Sequence, residues 1–159
     1  MLLRYIYTLF IGLLFVAFIG FGIEAFYPIP EPPDYPLELR KPYPAKEEDL
    51  TLAEKQELNK AALENEEKQK GFETARKQHN KNVSVVALAS SIVAMAISFV
   101  FLRKILLISD GLLLGGVFSL IYSIIRGFDA RDNMFRFIIV SIGLAVSLFF
   151  GYLKFVREK

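Results

Sequence analysis

Four long apolar stretches dominate this chain and leave it few folds to choose from. They run from Tyr5 to Tyr27, Val83 to Leu102, Ile105 to Ile125 and Phe137 to Phe155. At ~1.5 Å per helical residue each reaches ~30 Å, the hydrocarbon thickness of a bilayer. A backbone in lipid must satisfy its own hydrogen bonds, and these runs lack the alternation of barrel strands, so helix is the expectation for all four. The fold class that follows is an all-α integral membrane protein. It has four transmembrane helices, with a Pro-rich strap and one long polar helix between the first and second.

The 53% of hydrophobic residues coexist with 23% charged ones because the charges are segregated outside the four stretches. The expected organisation is an N-terminal anchor (1–27), an extended Pro/Tyr-rich linker (28–48), a charged extramembrane helix (49–82), and a three-helix bundle with a basic tail (83–159). The first stretch is longer than a signal-peptide core and no A-x-A-like site follows it, so an uncleaved anchor is expected. The absence of cysteine removes disulfides, thiolate nucleophiles and cysteine metal sites. Basic residues are not clustered with aromatics, so nucleic acid is not an expected partner; the bilayer is.

All seven prolines lie between Tyr27 and Pro44. Proline fixes φ and biases its predecessor towards extended backbone, so a stiff, polyproline-like strap is expected there, with a P-x-x-P docking motif at Pro30 and Pro33 as the alternative. Beyond it, Thr51 and Glu54 have the spacing of a capping box, and a proline-free run rich in Ala, Leu, Glu, Lys and Gln follows. Glu64–Lys68, Glu66–Lys70 and Glu73–Lys77 have the favourable four-residue spacing with the acid first. The apolar face is thin, with Leu58 and Phe72 sharing a heptad column interrupted by Asn65; these two are the candidate partner-binding residues. A helix continuous with the second span and a helix lying on the membrane surface both fit the pattern.

In the third span, Gly111, Gly115, Ser119, Ser123 and Gly127 recur every four residues and mark one face for close helix packing. Ser90, Ala94 and Ser98 in the second span, and Gly143, Ser147 and Gly151 in the fourth, repeat the device. The first span, rich in Phe10, Phe15, Phe18, Phe21 and Phe26, reads as a peripheral, lipid-facing anchor.

Ionisable residues inside spans are the default functional candidates. Asp110 is one, but it comes six residues after Lys104, ~9 Å along the helix from that base rather than at the midplane. An ion pair with Arg103 or Lys104 is the expectation, with a proton- or cation-linked role as the alternative. Glu24 reads as a solvated rim carboxylate. Arg126, Asp129, Arg131, Asp132 and Arg136 read as a zwitterionic turn with local pairs, with a lipid-headgroup site as the minority reading. The sole histidine, His79, has no Ser or Cys partner nearby in sequence, so triad and zinc chemistry lack their components and no cofactor or metal is expected.

Asp110-Gly111 followed by Asp129 and Asp132 invites comparison with the membrane CDP-alcohol phosphotransferases. Leu114 and Gly115 stand where that family needs an Ala-Arg pair, so the resemblance fails. Small multidrug transporters also have four helices, but depend on a mid-span acid in the first; Glu24 is not mid-span. The chain looks like many small bacterial multi-pass proteins, a likeness from which no activity follows; the expected location is the bacterial cell membrane.

Orientation rests on two opposed signals. Arg4 precedes the first span and acids follow it, which favours both termini in the cytoplasm. Counting all loops gives the opposite answer, with most bases on the side away from the termini. The functional expectation is a non-enzymatic scaffold or accessory subunit that meets a membrane-protein partner or a second copy of itself. The alternative is a small transporter or channel component using Asp110.

Overall fold

A computed structural model describes residues 2–35, 51–101 and 105–156. Four helices account for most of them: α1 (Leu2–Phe26), α2 (Leu52–Phe101), α3 (Leu106–Asp129) and α4 (Asn133–Phe155). All four are long and apolar enough to cross a membrane. The chain divides into two compact units, Met1–Ile29 with Lys77–Lys159, and Pro30–Arg76.

The charged helix and the second apolar stretch are one continuous element, α2, which contributes residues to both units. Its start follows from local chemistry. The Thr51 amide and hydroxyl both donate to Glu54 Oε2 (2.9 and 2.7 Å), and the Glu54 amide donates back to Thr51 Oγ1 at 3.3 Å. Two amide donors at the helix start are thereby satisfied reciprocally. The start expected at Asp49 lies outside the described residues. Of the three acid–base pairs expected along this helix, Glu66–Lys70 closes as an ion pair at 2.6 Å. Gly71 does not interrupt the helix. Residues 28–35 are non-helical, with Pro30 and Pro33 half-buried; the remainder of the proline-rich stretch lies outside the described residues.

In the bundle, α3 is the hub. Its pairings with α2 run antiparallel, from Ser98–Ser109 at one end to Ser84–Ser123 at the other. Those with α4 also run antiparallel, from Asp110–Lys154 to the contact of Gly127 with Ile139 and Phe135. Against α1 the direction is parallel, from Arg4–Asp110 through Ile11–Gly111 to Phe15–Gly115. The apolar core of Leu88, Met95, Leu120, Ile139 and Phe150 lies where α2, α3 and α4 meet, with Phe99 stacked on Phe150 at 5.5 Å.

The α2–α3 seam explains why these spans are rich in serine. Ser84, Ser91 and Ser98 stand seven residues apart on α2 and are fully buried, with Ala87 and Ala94 between them. Side chains this small let the backbones come close enough for hydroxyls to reach carbonyls of the facing helix. Ser84 Oγ donates to the Ser123 carbonyl (2.8 Å) while Ser123 Oγ donates to the Ser84 carbonyl (2.7 Å). Ser119 Oγ donates to the Ala87 carbonyl (3.1 Å), and Ser98 Oγ to that of Ser109 (2.8 Å). Such bonds average ~0.6 kcal/mol each in membrane proteins. Ser90, the residue expected in this seam, instead donates to its own helix at the Val86 carbonyl; Ser84 and Ser91 take the place it was given.

The first helix departs from a purely lipid-facing anchor. Phe10, Phe18, Phe21 and Phe26 are exposed, but Gly12 is buried against α3. A Cβ at Gly111 would stand 2.6 Å from Ile11 Cγ2, and one at Gly115 2.9 Å from Phe15 Cβ. The glycines of α3 are therefore the floor on which α1 rests. In α4, Gly143 abuts Leu120, whereas Ser147 is exposed and Gly151 has open space beside it. Among the described residues, these two do not form the close helix contact that Gly143 does.

Candidate functional site

Polar residues form one layer at each end of the bundle. At the end of the chain termini, Asp110 Oδ2 accepts from the Arg4 guanidinium at 2.7 Å and Oδ1 from Lys154 Nζ at 3.1 Å. One carboxylate thus ties α1, α3 and α4 together. The nearest bases in sequence, Arg103 and Lys104, lie outside the described residues, and the partners seen come from the two ends of the chain. Short range in sequence favoured the former pair; antiparallel packing brings the first turn of α1 and the last turn of α4 to the same level. Glu24, towards the other end of α1, is exposed and forms no ion pair among the described residues.

The opposite layer gathers Tyr27, directly after α1, with residues of α2, α3 and the α3–α4 connection. The Tyr27 ring stacks on His79 at 4.6 Å and 11°, and its hydroxyl accepts from Asn82 Nδ2 at 2.9 Å. His79 and Asn80 are buried. Burial, and then the positive charge of Arg126, hold the His79 imidazole below its usual value and so favour the neutral ring. Arg126 donates to Tyr122 Oη (3.1 Å) and Asn80 Oδ1 (3.4 Å) and has no carboxylate partner among the described residues.

The α3–α4 turn is built from its own charges, though not as local pairs. Arg131 takes the left-handed backbone region (φ 52°), which reverses the chain directly after α3. Asp132 caps α4 by accepting from the Met134 and Phe135 amides, both at 3.1 Å. Its other oxygen accepts from Lys81 Nζ at 2.6 Å. The lysine first, then the Phe135 amide, hold this carboxyl below the usual aspartate value. Arg136 donates to the Phe128 carbonyl (2.6 and 3.1 Å), satisfying an acceptor at the end of α3. Asp129 and Arg131 remain exposed.

Between α1 and α2 a groove of about 500 Å³ opens below this layer, with Phe18, Ile19, Gly22 and Ile23 on one wall and Val83, Val86 and Ser90 on the other. In the Pro30–Arg76 unit, Leu58 and Phe72 are half-buried on α2. Among the described residues no cluster of His, Asp and Glu could hold a metal ion. Sequence reasoning missed His79, Asn80, Tyr27 and Asn82. The signal for the first two is their position one turn before Val83, in helical phase with the buried face of the span.

These features define a helical bundle with candidate membrane-spanning helices and a polar layer at each end. No protein-family model matches the chain, nor does any curated protein or solved structure.

Proposed function

We propose that this is a multi-pass integral membrane protein that acts without catalysis, as a scaffold or accessory subunit, and that Pro30–Arg76 is the part that meets a protein partner. The observation carrying this reading is a division of labour within one chain. In the bundle, Asp110 is occupied at both oxygens by cations and Asp132 by a cation and two amides. In Pro30–Arg76, a capped, water-adapted helix carries a dense run of exposed charge, in which Glu66–Lys70 is the ion pair among the described residues, and two half-buried apolar side chains, Leu58 and Phe72. Transport through Asp110 would need that carboxylate to exchange partners, and two cations from different helices oppose this.

A photo-crosslinking residue placed at Leu58 or Phe72 of the full-length protein, in the cells that express it, tests the reading. The expected result is a discrete adduct of defined mass from those positions and not from Glu64 on the exposed face. Absence of adducts, together with a proton- or cation-dependent liposome flux lost in Asp110→Asn, would overturn it in favour of a transporter.

A further inference from the structure

The groove between α1 and α2 opens where α1 leaves its close seat on α3. In its first half α1 rests on α3 through Gly12 and Phe15. In its second half it faces α2 instead, and a Cβ at Gly22 would meet nothing within 4 Å. From Phe18 to Tyr27 the slot runs ~13 Å along the helix axis at about 1.5 Å per residue. Its walls are apolar apart from Ser90, whose hydroxyl is already spent on the Val86 carbonyl. Water in it would find few partners, and its apolar walls suit an apolar guest. Its volume lies within the range of sites that bind small molecules, ~300–1,000 Å³.

The end of the slot is chemically different from its walls. Tyr27 and Asn82 close it, bonded to each other, and His79 stacks behind Tyr27. Next to His79, Asn80 holds Arg126, a half-buried guanidinium with no carboxylate partner among the described residues. Of the acids at this end, Asp132 is taken by Lys81, while Glu24 and Asp129 are exposed and pair with nothing described. An apolar slot whose closing residues lead through His79 and Asn80 to a cation with no carboxylate partner among the described residues suits an amphiphile with an anionic head.

We propose that this groove is a binding site for one anionic glycerophospholipid, with an acyl chain between α1 and α2 and the phosphate drawn to the Arg126 end. The proposal rests on the reading that the helices lie in a bilayer, and recovery of the full-length protein in the membrane fraction tests that reading separately. The site itself is tested on protein extracted in mild detergent, stripped of lipid, and titrated with phosphatidylglycerol or phosphatidylcholine while bound lipid is counted by native mass spectrometry.

One equivalent of phosphatidylglycerol should bind at least tenfold more tightly than phosphatidylcholine. Gly22→Leu should weaken it by a similar factor by filling the slot. Gly20→Leu, where a side chain also meets open space but which does not line the groove, should leave binding unchanged and so controls for folding. Arg126→Gln should remove the preference between the two lipids. Equal binding of both lipids by the unaltered protein, or undiminished binding in Gly22→Leu, would overturn the proposal.

Discussion

His79 shows how a residue's role is set by its place in a helix rather than by its neighbours in sequence. Its flanking Lys, Gln and Asn suggest water, yet α2 turns it onto the Tyr27 ring and buries it. Because burial and Arg126 lower its folded-state value, the unfolded chain takes up a proton at a higher pH than the folded one. The stability this residue contributes is therefore fully present above the ordinary histidine value of about 6.5, and is lost as pH falls from there through the folded value. As the chain has one histidine, its ring resonances can be followed by NMR without assignment. The midpoint should lie below 6.5 and move up in Arg126→Gln, while the Tyr27 contact loosens as the ring charges. A midpoint at or above 6.5 would show that the ring is not buried as described.

Among the elements, the α2–α3 seam makes the most discriminating claim, because one of its three α2 serines is unlike the other two. Ser84 and Ser98 bond to α3, whereas Ser91 Oγ is buried with no hydrogen-bond partner among the described residues. Removing a satisfied hydroxyl loses a bond and leaves its acceptor short, while removing an orphan relieves a desolvation cost. Ser98→Ala should therefore lower stability by about 0.5–1 kcal/mol, and Ser91→Ala should be neutral or stabilising. Unfolding of both variants in mixed micelles measures the difference; equal losses would refute the asymmetry. The seam also shows where the sequence is legible. The four apolar stretches, the Thr51–Glu54 capping box and the small-residue face of α3 can all be read from local pattern and spacing. The serine register on α2 was present as a seven-residue repeat, but the four-residue spacing of Ser90, Ala94 and Ser98 is the more familiar packing signal. The seating of α1 on Gly111 and Gly115 and the joining of Arg4, Asp110 and Lys154 had no local signal. Each depends on which helix lies beside which, and helix order in space is decided by the sum of many weak contacts.

For the whole molecule, the two polar layers give the bundle a definite vertical frame. Asp110 and Arg126 are ~24 Å apart along α3 at about 1.5 Å per residue, which suits a hydrocarbon layer bracketed by charge at both faces. The frame fixes which residues share a side but not which side is cytoplasmic. On the proposal that all four helices cross the bilayer, both termini lie on one side, the side where Arg4 and Lys154 meet at Asp110. The first helix usually dominates insertion, and here Arg4 stands in its first turn, while Glu24 near its end and then Glu31 and Asp34 come before the next base. The bases between the first two spans argue the other way. However, residues 28–82 approach the length, ~60 residues, beyond which a segment translocates largely regardless of charge. Both termini are accordingly expected in the cytoplasm. A reporter fused after Lys159 should then register a cytoplasmic location. Because the chain has no cysteine, Glu64→Cys supplies a unique thiol that an impermeant maleimide should label in intact cells. Labelling only after the cells are opened, with the reporter outside, would invert the topology and place the Arg126 layer, with its lipid groove, at the cytoplasmic face.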